Sequence, residues 1–349
     1  MRCDMKKKKV GIIGAGNIFE VVHQKYFMQR KDVEIIGLTD ISVDHVKKMA
    51  ARYNIPYCFS NAEEMLKQLM LDVVVVCVPN KYHYENVMLA LQYDCHVLCE
   101  KPPSILASEA KKMRDYAIEK NKVLAYNLHW RHSKEVMLLK TRIQKGELGE
   151  IYNVKVQALR RLGIPGWGNF IDQSMQGGGP LIDLGIHMLD VAMYLLDYPD
   201  VDHITSVSHQ EIGNRKNKGT LGNWDPSKYT VEDSIFALIR FKNGTSLQLE
   251  TSFALNIKEK SSMNVWLRGT EAGASVFPLE IYSDTDGELT DMTFPQLIEV
   301  DKQAIAINNF LDQCDGIHTI LADGECGYKL QNIIESIYKA AKENKLVKL

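Results

Sequence analysis

From Val10 to about Ala125, short runs rich in β-branched residues alternate with stretches of helical period. Val10 to Ile13, Val33 to Thr39, Val73 to Val78, His96 to Cys99 and Val123 to Tyr126 are the strand candidates. The run Val73 to Val78 is apolar without a break, the pattern of a strand covered on both faces. Such alternation predicts a doubly wound parallel sheet.

After Asn127 the pattern changes. One helix is expected from about Ser133 to Lys145 and a strand near Ile151 to Leu159. Longer alternating strands follow at Val201 to His209, Ser234 to Phe241, Ser246 to Phe253 and Met263 to Arg268. Asn243-Gly244 between two of these is a hairpin signal. Helices near Gln303 to Asp315 and Cys326 to Lys342 close the pattern, and the Gly-, Asn- and Lys-rich segment Gly213 to Tyr229 reads as an extended loop. The expectation is α/β in class, with domains at 1–126 and 127–349, the second an α+β domain on a large, mostly antiparallel sheet.

One helix stands apart. Gly177-Gly178-Gly179-Pro180 reads as a loop breaking into a helix, since proline is tolerated in a first turn. Asp183, His187, Asp190 and Tyr194 then fall at i, i+4, i+7 and i+11, and Leu181, Leu184, Met188, Ala192 and Leu195 fill the other side. A solvated face normally carries Lys, Glu or Gln, and none occurs between Gly177 and Asp200. So apolar a helix is expected to be buried, and a carboxylate and an imidazole on it need a partner or a cavity.

The length of 349 residues allows two cores, and a net charge of −2 offers no footprint for nucleic acid or an anionic membrane. No run approaches the roughly 18 apolar residues of a membrane span. The seven cysteines (Cys3, Cys58, Cys77, Cys95, Cys99, Cys314, Cys326) are scattered, several within apolar runs, as reduced core residues of an intracellular protein would be. Cys95 and Cys99 flank His96, yet no second ligand pair is near, and no metal is expected. Lys6 to Lys9 reads as a solvated tail, and Val10 to Ile13 is too short for a signal sequence; a cytoplasmic protein is expected.

Gly14-Ala15-Gly16-Asn17-Ile18-Phe19 follows a strand and precedes a helix, the context a dinucleotide turn requires. Gly14 would make the tight turn and Gly16 would admit the pyrophosphate to the helix start. Phe19 stands where a third glycine serves helix-to-strand packing. Asp40, ending the second strand, can accept from the adenosine ribose; no Arg or Lys follows it directly, which favours NAD over NADP. The competing role for Asp40 is to cap the helix starting near Ser42.

Val78-Pro79-Asn80-Lys81-Tyr82-His83 and Cys99-Glu100-Lys101-Pro102-Pro103 follow later strands, at the carboxyl ends where open parallel sheets bind ligands. Together with Gly146-Glu147-Leu148-Gly149, Gly177-Gly178-Gly179 and the Asp183/His187 helix, these motifs resemble the Gfo/Idh/MocA family of sugar and cyclitol oxidoreductases from Val10 to Lys342. Phe19 and Pro103 depart from the family's usual residues.

The resemblance implies a Rossmann domain binding NAD through Gly14, Gly16, Asn17, Ile18, Asp40, Pro79, Asn80, His83, Glu100 and Lys101. It implies Lys101, Asp183 and His187 as catalytic residues. Oxidising a secondary alcohol needs a base near neutrality, the part given to His187; Lys101 would stabilise the reacting oxygen and Asp183 would orient substrate or base. The positive end of the helix disfavours an imidazolium at His187, whereas Asp183 favours it. Asn127, His129, Arg131, Arg160, Arg161 and Trp167 are candidate contacts to a sugar, polyol or cyclitol. A homodimer or homotetramer is expected, through a broad sheet face that no helix covers. An NAD-dependent glycosidase and a non-catalytic sugar sensor are the alternatives.

Overall fold

The computed structural model describes residues 7–349, so Cys3 and Lys6 lie outside the described residues. The chain divides into two compact units. The first holds the described residues up to Leu128 together with Gln303–Tyr328, and the second holds His129–Lys302 with Lys329–Leu349. The sequence pattern had given everything after residue 126 to the second domain. It shows that a helix near Gln303 exists, but not which sheet it covers.

In the first unit six strands, β1 (Lys8–Ile13), β2 (Val33–Thr39), β3 (Tyr57–Phe59), β4 (Val73–Val76), β5 (His96–Cys99) and β6 (Leu124–Tyr126), form one sheet in the order β3-β2-β1-β4-β5-β6. Every pairing is parallel. The connecting helices are α1 (Gln24–Gln29), α2 (Val43–Arg52), α3 (Ala62–Gln68), α4 (His83–Gln92) and α5 (Ala107–Glu119). Val10, Ile12, Val73 and Val75 are fully buried, and Ile307, Phe310 and Leu311 of the helix Lys302–Cys314 join the same core. Lys8 and Lys9 are not tail residues: both lie in β1, and Lys8 forms an ion pair with Asp315.

The second unit contains α6 (Lys134–Gln144), β7 (Ile151–Arg160), α7 (Gln173–Gln176), α8 (Ile186–Leu195) and β8 (Val201–His209). A two-residue hairpin, β9 (Lys218–Gly219) and β10 (Gly222–Asn223), breaks the segment read as an extended loop, and Trp224 beside it is buried with its indole N–H on the Gly213 carbonyl at 2.8 Å. There follow β11 (Ser234–Phe241), β12 (Ser246–Ser252), β13 (Ser261–Gly269), β14 (Gly273–Ser275), β15 (Glu280–Thr285) and β16 (Glu288–Thr293). The chain ends with α9 (Lys302–Cys314), α10 (Gly324–Glu343) and β17 (Val347–Lys348).

Nine strands make one sheet, β16-β15-β14-β13-β7-β12-β11-β8-β17, antiparallel except where β7 meets β12. Gly244, at φ +93°, turns β11 into β12 as the Asn-Gly pair predicted. One face of the sheet is sealed by Val154, Val156, Ile235, Ile239, Leu247 and Leu249. The other leaves Val207 and Leu238 about half exposed, at 48% and 47%. Among the described residues no helix is long and apolar enough to cross a membrane.

Candidate active site

The turn after β1 has the shape a dinucleotide needs. Gly14 sits at φ +101°, and a Cβ there would meet the Cys77 carbonyl oxygen at 2.7 Å. A Cβ on Gly16 would meet nothing within 4 Å, so open space lies in front of the helix start for a pyrophosphate. Asn17 is exposed and Ile18 half-buried beside it. Phe19 is buried edge-on against Tyr53 at 5.8 Å, and it opens a π turn, Phe19–His23, before α1.

Asp40 is half-buried and anchored twice: one carboxylate oxygen accepts from the Ala15 N–H at 3.0 Å, the other from the Ser42 N–H at 3.0 Å. The cap of α2 is Ser42 itself, accepting from the His45 N–H. Each carboxylate oxygen keeps a lone pair for a ribose hydroxyl. These residues fit NAD.

Beyond β4, Pro79 is exposed and Asn80 half-buried, at the carboxyl end of the sheet. His83 is not at that surface. It is fully buried, with Nδ1 2.7 Å from the Pro102 carbonyl oxygen and Nε2 2.9 Å from that of Val78, so its ring serves the protein rather than a cofactor. Burial holds its pKa below the ordinary histidine value, against the two carbonyls that favour the charged ring.

Glu100 and Asn127 are likewise turned inward. The Glu100 carboxylate accepts from His23 Nε2 at 2.7 Å and from the Asn127 amide at 2.8 Å. Burial alone would push this carboxyl up; the hydrogen bonds from His23 and Asn127 and the field of Lys101 reverse that and hold it at about 2. Asn127, 2% exposed, therefore serves Glu100 and is not placed to touch a sugar. Lys101, between Glu100 and Pro102, remains half-buried.

In the second unit the helix of Asp183 begins as a π turn, Leu181–Gly185, and continues as α8. Of Leu181 to Leu195, the side chains not buried are Asp183, His187 and Tyr194. The glycine run before it is packed, not loose. A Cβ on Gly178 would collide with the Tyr338 hydroxyl, and one on Gly179 would meet the Glu232 carbonyl oxygen at 2.7 Å.

Glu232 was not foreseen. Its carboxylate accepts from the Gly179 N–H at 2.9 Å, the Leu181 N–H at 3.3 Å and the Tyr338 hydroxyl at 2.8 Å, capping the helix start from the segment that leads into β11. Burial raises its pKa, opposed by these donors. No spacing rule links it to the helix, because its partners are backbone groups some fifty residues away.

Arg131 is the clearest correction. It is 1% exposed and clasps Asp190, itself fully buried, through Nε at 3.1 Å and a second contact, while the same guanidinium bonds the Tyr198 hydroxyl and lies over the rings of Tyr194 and Tyr198. Arg161 is exposed and bonds the Lys258 carbonyl; Arg160 is half-buried, bonds Gly163 and feels the charge of Asp183. His129 lies with its ring 5.3 Å from that of His187. Trp167 is 54% exposed, edge-on to Phe170.

The cysteines at positions 77, 95 and 99 are buried, and burial pushes the Cys95 thiol up to about 12. Among the described residues no group of three His, Cys, Asp or Glu is placed to hold a metal ion.

Two domain models match the chain: "Oxidoreductase family, NAD-binding Rossmann fold" over residues 8–128 and "Oxidoreductase family, C-terminal alpha/beta domain" over 140–349. The D-glucoside 3-dehydrogenase of Escherichia coli (strain K12) is 42% identical over 98% of this chain and 97% of its own length. The glucose-6-phosphate 3-dehydrogenase of Bacillus subtilis (strain 168) is 33% identical over 54% of each chain. In fold, a levoglucosan dehydrogenase solved with NADH and levoglucosan superposes with a TM-score of 0.82 at 20% identity, over 98% of this chain and 99% of that one. With a dinucleotide turn in one unit, a half-open Asp/His stripe in the other and both family models matched, the chain belongs to the Gfo/Idh/MocA oxidoreductases.

Proposed function

We propose that the chain is an NAD-dependent dehydrogenase of a sugar secondary alcohol, with the 3-hydroxyl of a glucoside as its first candidate. The observation that carries this reading is the half-buried Asp183/His187 pair on a helix whose other side chains, Tyr194 apart, are sealed. The full-length likeness to a D-glucoside 3-dehydrogenase supports the substrate class.

His187 takes the hydroxyl proton during oxidation and returns it in the reverse direction. Lys101 hydrogen-bonds the same oxygen as negative charge grows on it, and Asp183 orients the imidazole or a neighbouring hydroxyl. Bound NAD supplies the hydride acceptor. Gly14, Gly16, Asn17 and Ile18 would hold its pyrophosphate and Asp40 its ribose, with Pro79 and Asn80 assigned to its nicotinamide end. The Asp40 carboxylate would repel a 2′-phosphate, which favours NAD over NADP. Trp167 offers a ring face to the sugar. The apolar side chains Val207 and Leu238 on the open sheet face support self-association, and the buried thiols suit a reducing cytoplasm.

The test is reduction of NAD followed by absorbance with a panel of glucosides, free aldoses and polyols. Turnover is expected with glucosides, together with a 3-keto product. Absence of NADH formation across the panel would overturn the reading. Release of a chromogenic aglycone without net NADH would assign the glycosidase instead, and sugar binding without either reaction would assign a sensor.

A further inference from the structure

We propose that His23 and His83 are positioning residues for Lys101, acting by gripping the two residues on either side of it. The inference rests on the reading of Lys101 as the group at the reacting oxygen.

Lys101 is flanked by Glu100 and Pro102, and each flank is held by a buried histidine from a different helix start. His23 closes the π turn that follows the glycine motif, and His83 opens α4 after the Pro79-Asn80 turn. Both rings are fully buried. A carboxylate only accepts, so the Nε2 of His23 carries the hydrogen it shares with Glu100 Oε1 at 2.7 Å. Asn127 donates to the same oxygen at 2.8 Å, and its own N–H is fixed to the Cys99 carbonyl at 2.9 Å. The Lys101 N–H points to the second Glu100 oxygen at 3.3 Å. On the other flank, the His83 ring spans the Pro102 and Val78 carbonyl oxygens at 2.7 and 2.9 Å.

Simple packing does not require this chemistry. A phenyl or isobutyl group would fill either space without the cost of burying an imidazole. The polar partners of the two rings are the flanks of Lys101 and the Val78 carbonyl. Nδ1 of His23 is buried with no hydrogen-bond partner among the described residues, so the one polar contact that keeps His23 in place is Glu100. With the chain held before and after Lys101, the point from which its stem aims the ammonium group is set. The same two rings tie that aim to the two turns that would carry the cofactor.

A mutant cycle in the NAD-loaded protein tests this. His23→Phe and His83→Leu should each lower kcat by about 10- to 10²-fold, with KM for NAD and for a methyl glucoside moving within about threefold. His23→Gln, whose amide can still donate to Glu100, should recover most of the loss. In a Lys101→Ala background the histidine substitutions should cost nothing further, because residues acting through one group are not additive. Losses that persist undiminished in that background would overturn the proposal, as would unchanged kcat in the single variants.

A second readout needs no turnover. With lysines ¹³C-dimethylated, the Lys101 NMR signal, assigned through Lys101→Arg, should shift in His23→Phe and His83→Leu and return in His23→Gln. An unmoved signal sinks the proposal even if sugar oxidation is confirmed; a moved signal with no sugar oxidised leaves the positioning intact and removes the enzymatic reading.

Discussion

One helical run carries two acid-centred clusters with opposite fates. At its start, Asp183 and His187 stay part-open, and the helix end beneath them is satisfied from behind by Glu232. Further on, Asp190 is fully buried and shared by Arg131 and Tyr198. The residue types hardly differ, since each cluster sets a carboxylate beside a cation or a cationisable ring. What differs is exposure: Asp183 and His187 are half-buried, whereas Asp190 and Arg131 are sealed from solvent. A buried charge closed into a network with its counter-ion is structure; a polar group that solvent still reaches is available for chemistry.

The largest break in that comparison is Asp190→Ala. It leaves the Arg131 guanidinium buried without its counter-ion and should cost about 3 to 5 kcal/mol in urea unfolding, with turnover per folded molecule nearly unchanged. Wild-type stability in that variant would remove the structural assignment. Acid should act on a comparable scale, on the order of 3 to 5 kcal/mol when fully expressed. Burial, reinforced by the charges of Arg131 and His129, pulls His132 from 6.5 down to about 3. The unfolded chain therefore takes up this proton first, and stability falls as pH drops from 6.5 towards 3. Glu100, held at about 2 against an ordinary 4.5, contributes fully above 4.5 and is lost as pH falls through 2. His132→Leu should flatten the upper window and spare the lower one; a pH–stability curve that keeps its upper slope would count against the assignment.

His187→Ala probes the open cluster. It should lower kcat by about 10²-fold or more while the urea midpoint stays near wild type, the reverse of Asp190→Ala. If both variants lost stability and activity together, the two ends of the helix would be one functional unit.

How far the sequence announced this depended on the kind of signal. The first sheet was legible because strands covered on both faces read as unbroken apolar runs, as Val73 to Val76 does. The three-residue strand Tyr57–Phe59 and the exposed strand Glu288–Thr293 gave no such run. The apolar face of Lys302–Cys314 marked a helix, yet apolarity does not say which sheet it will cover. Asp183 and His187 were legible because their helix carries no Lys, Glu or Gln, so its few polar groups could not be read as a solvated face. Arg131 was misread because an arginine was judged by what it can bind, although Asp190, already on the stripe, was its partner 59 residues on. His23 left a faint signal, a histidine at i+4 from Phe19 on a buried face; Glu232 left none.

The smallest expected effect is the most discriminating. Tyr198 adopts φ +53°, in the left-handed region that bulky residues avoid, directly after Asp197 at φ +58°. Its hydroxyl donates to Asp190 at 2.8 Å and accepts from Arg131, while its ring lies 5.8 Å from the guanidinium and its carbonyl accepts from Lys329 at 3.3 Å. The strain is thus offset by a polar tip and a stacked face together. Tyr198→Phe keeps the face and deletes the tip, so it should cost only about 1 kcal/mol, because Asp190 retains Arg131. Tyr198→Gly relieves the backbone and loses both contacts, so its net loss measures how far ring and hydroxyl exceed the strain. Neither variant should alter kcat or the pH dependence of turnover. A drop in kcat for Tyr198→Phe at unchanged stability would mean that the sealed cluster reaches the open one along the helix, and that the line between structure and chemistry lies beyond Asp190.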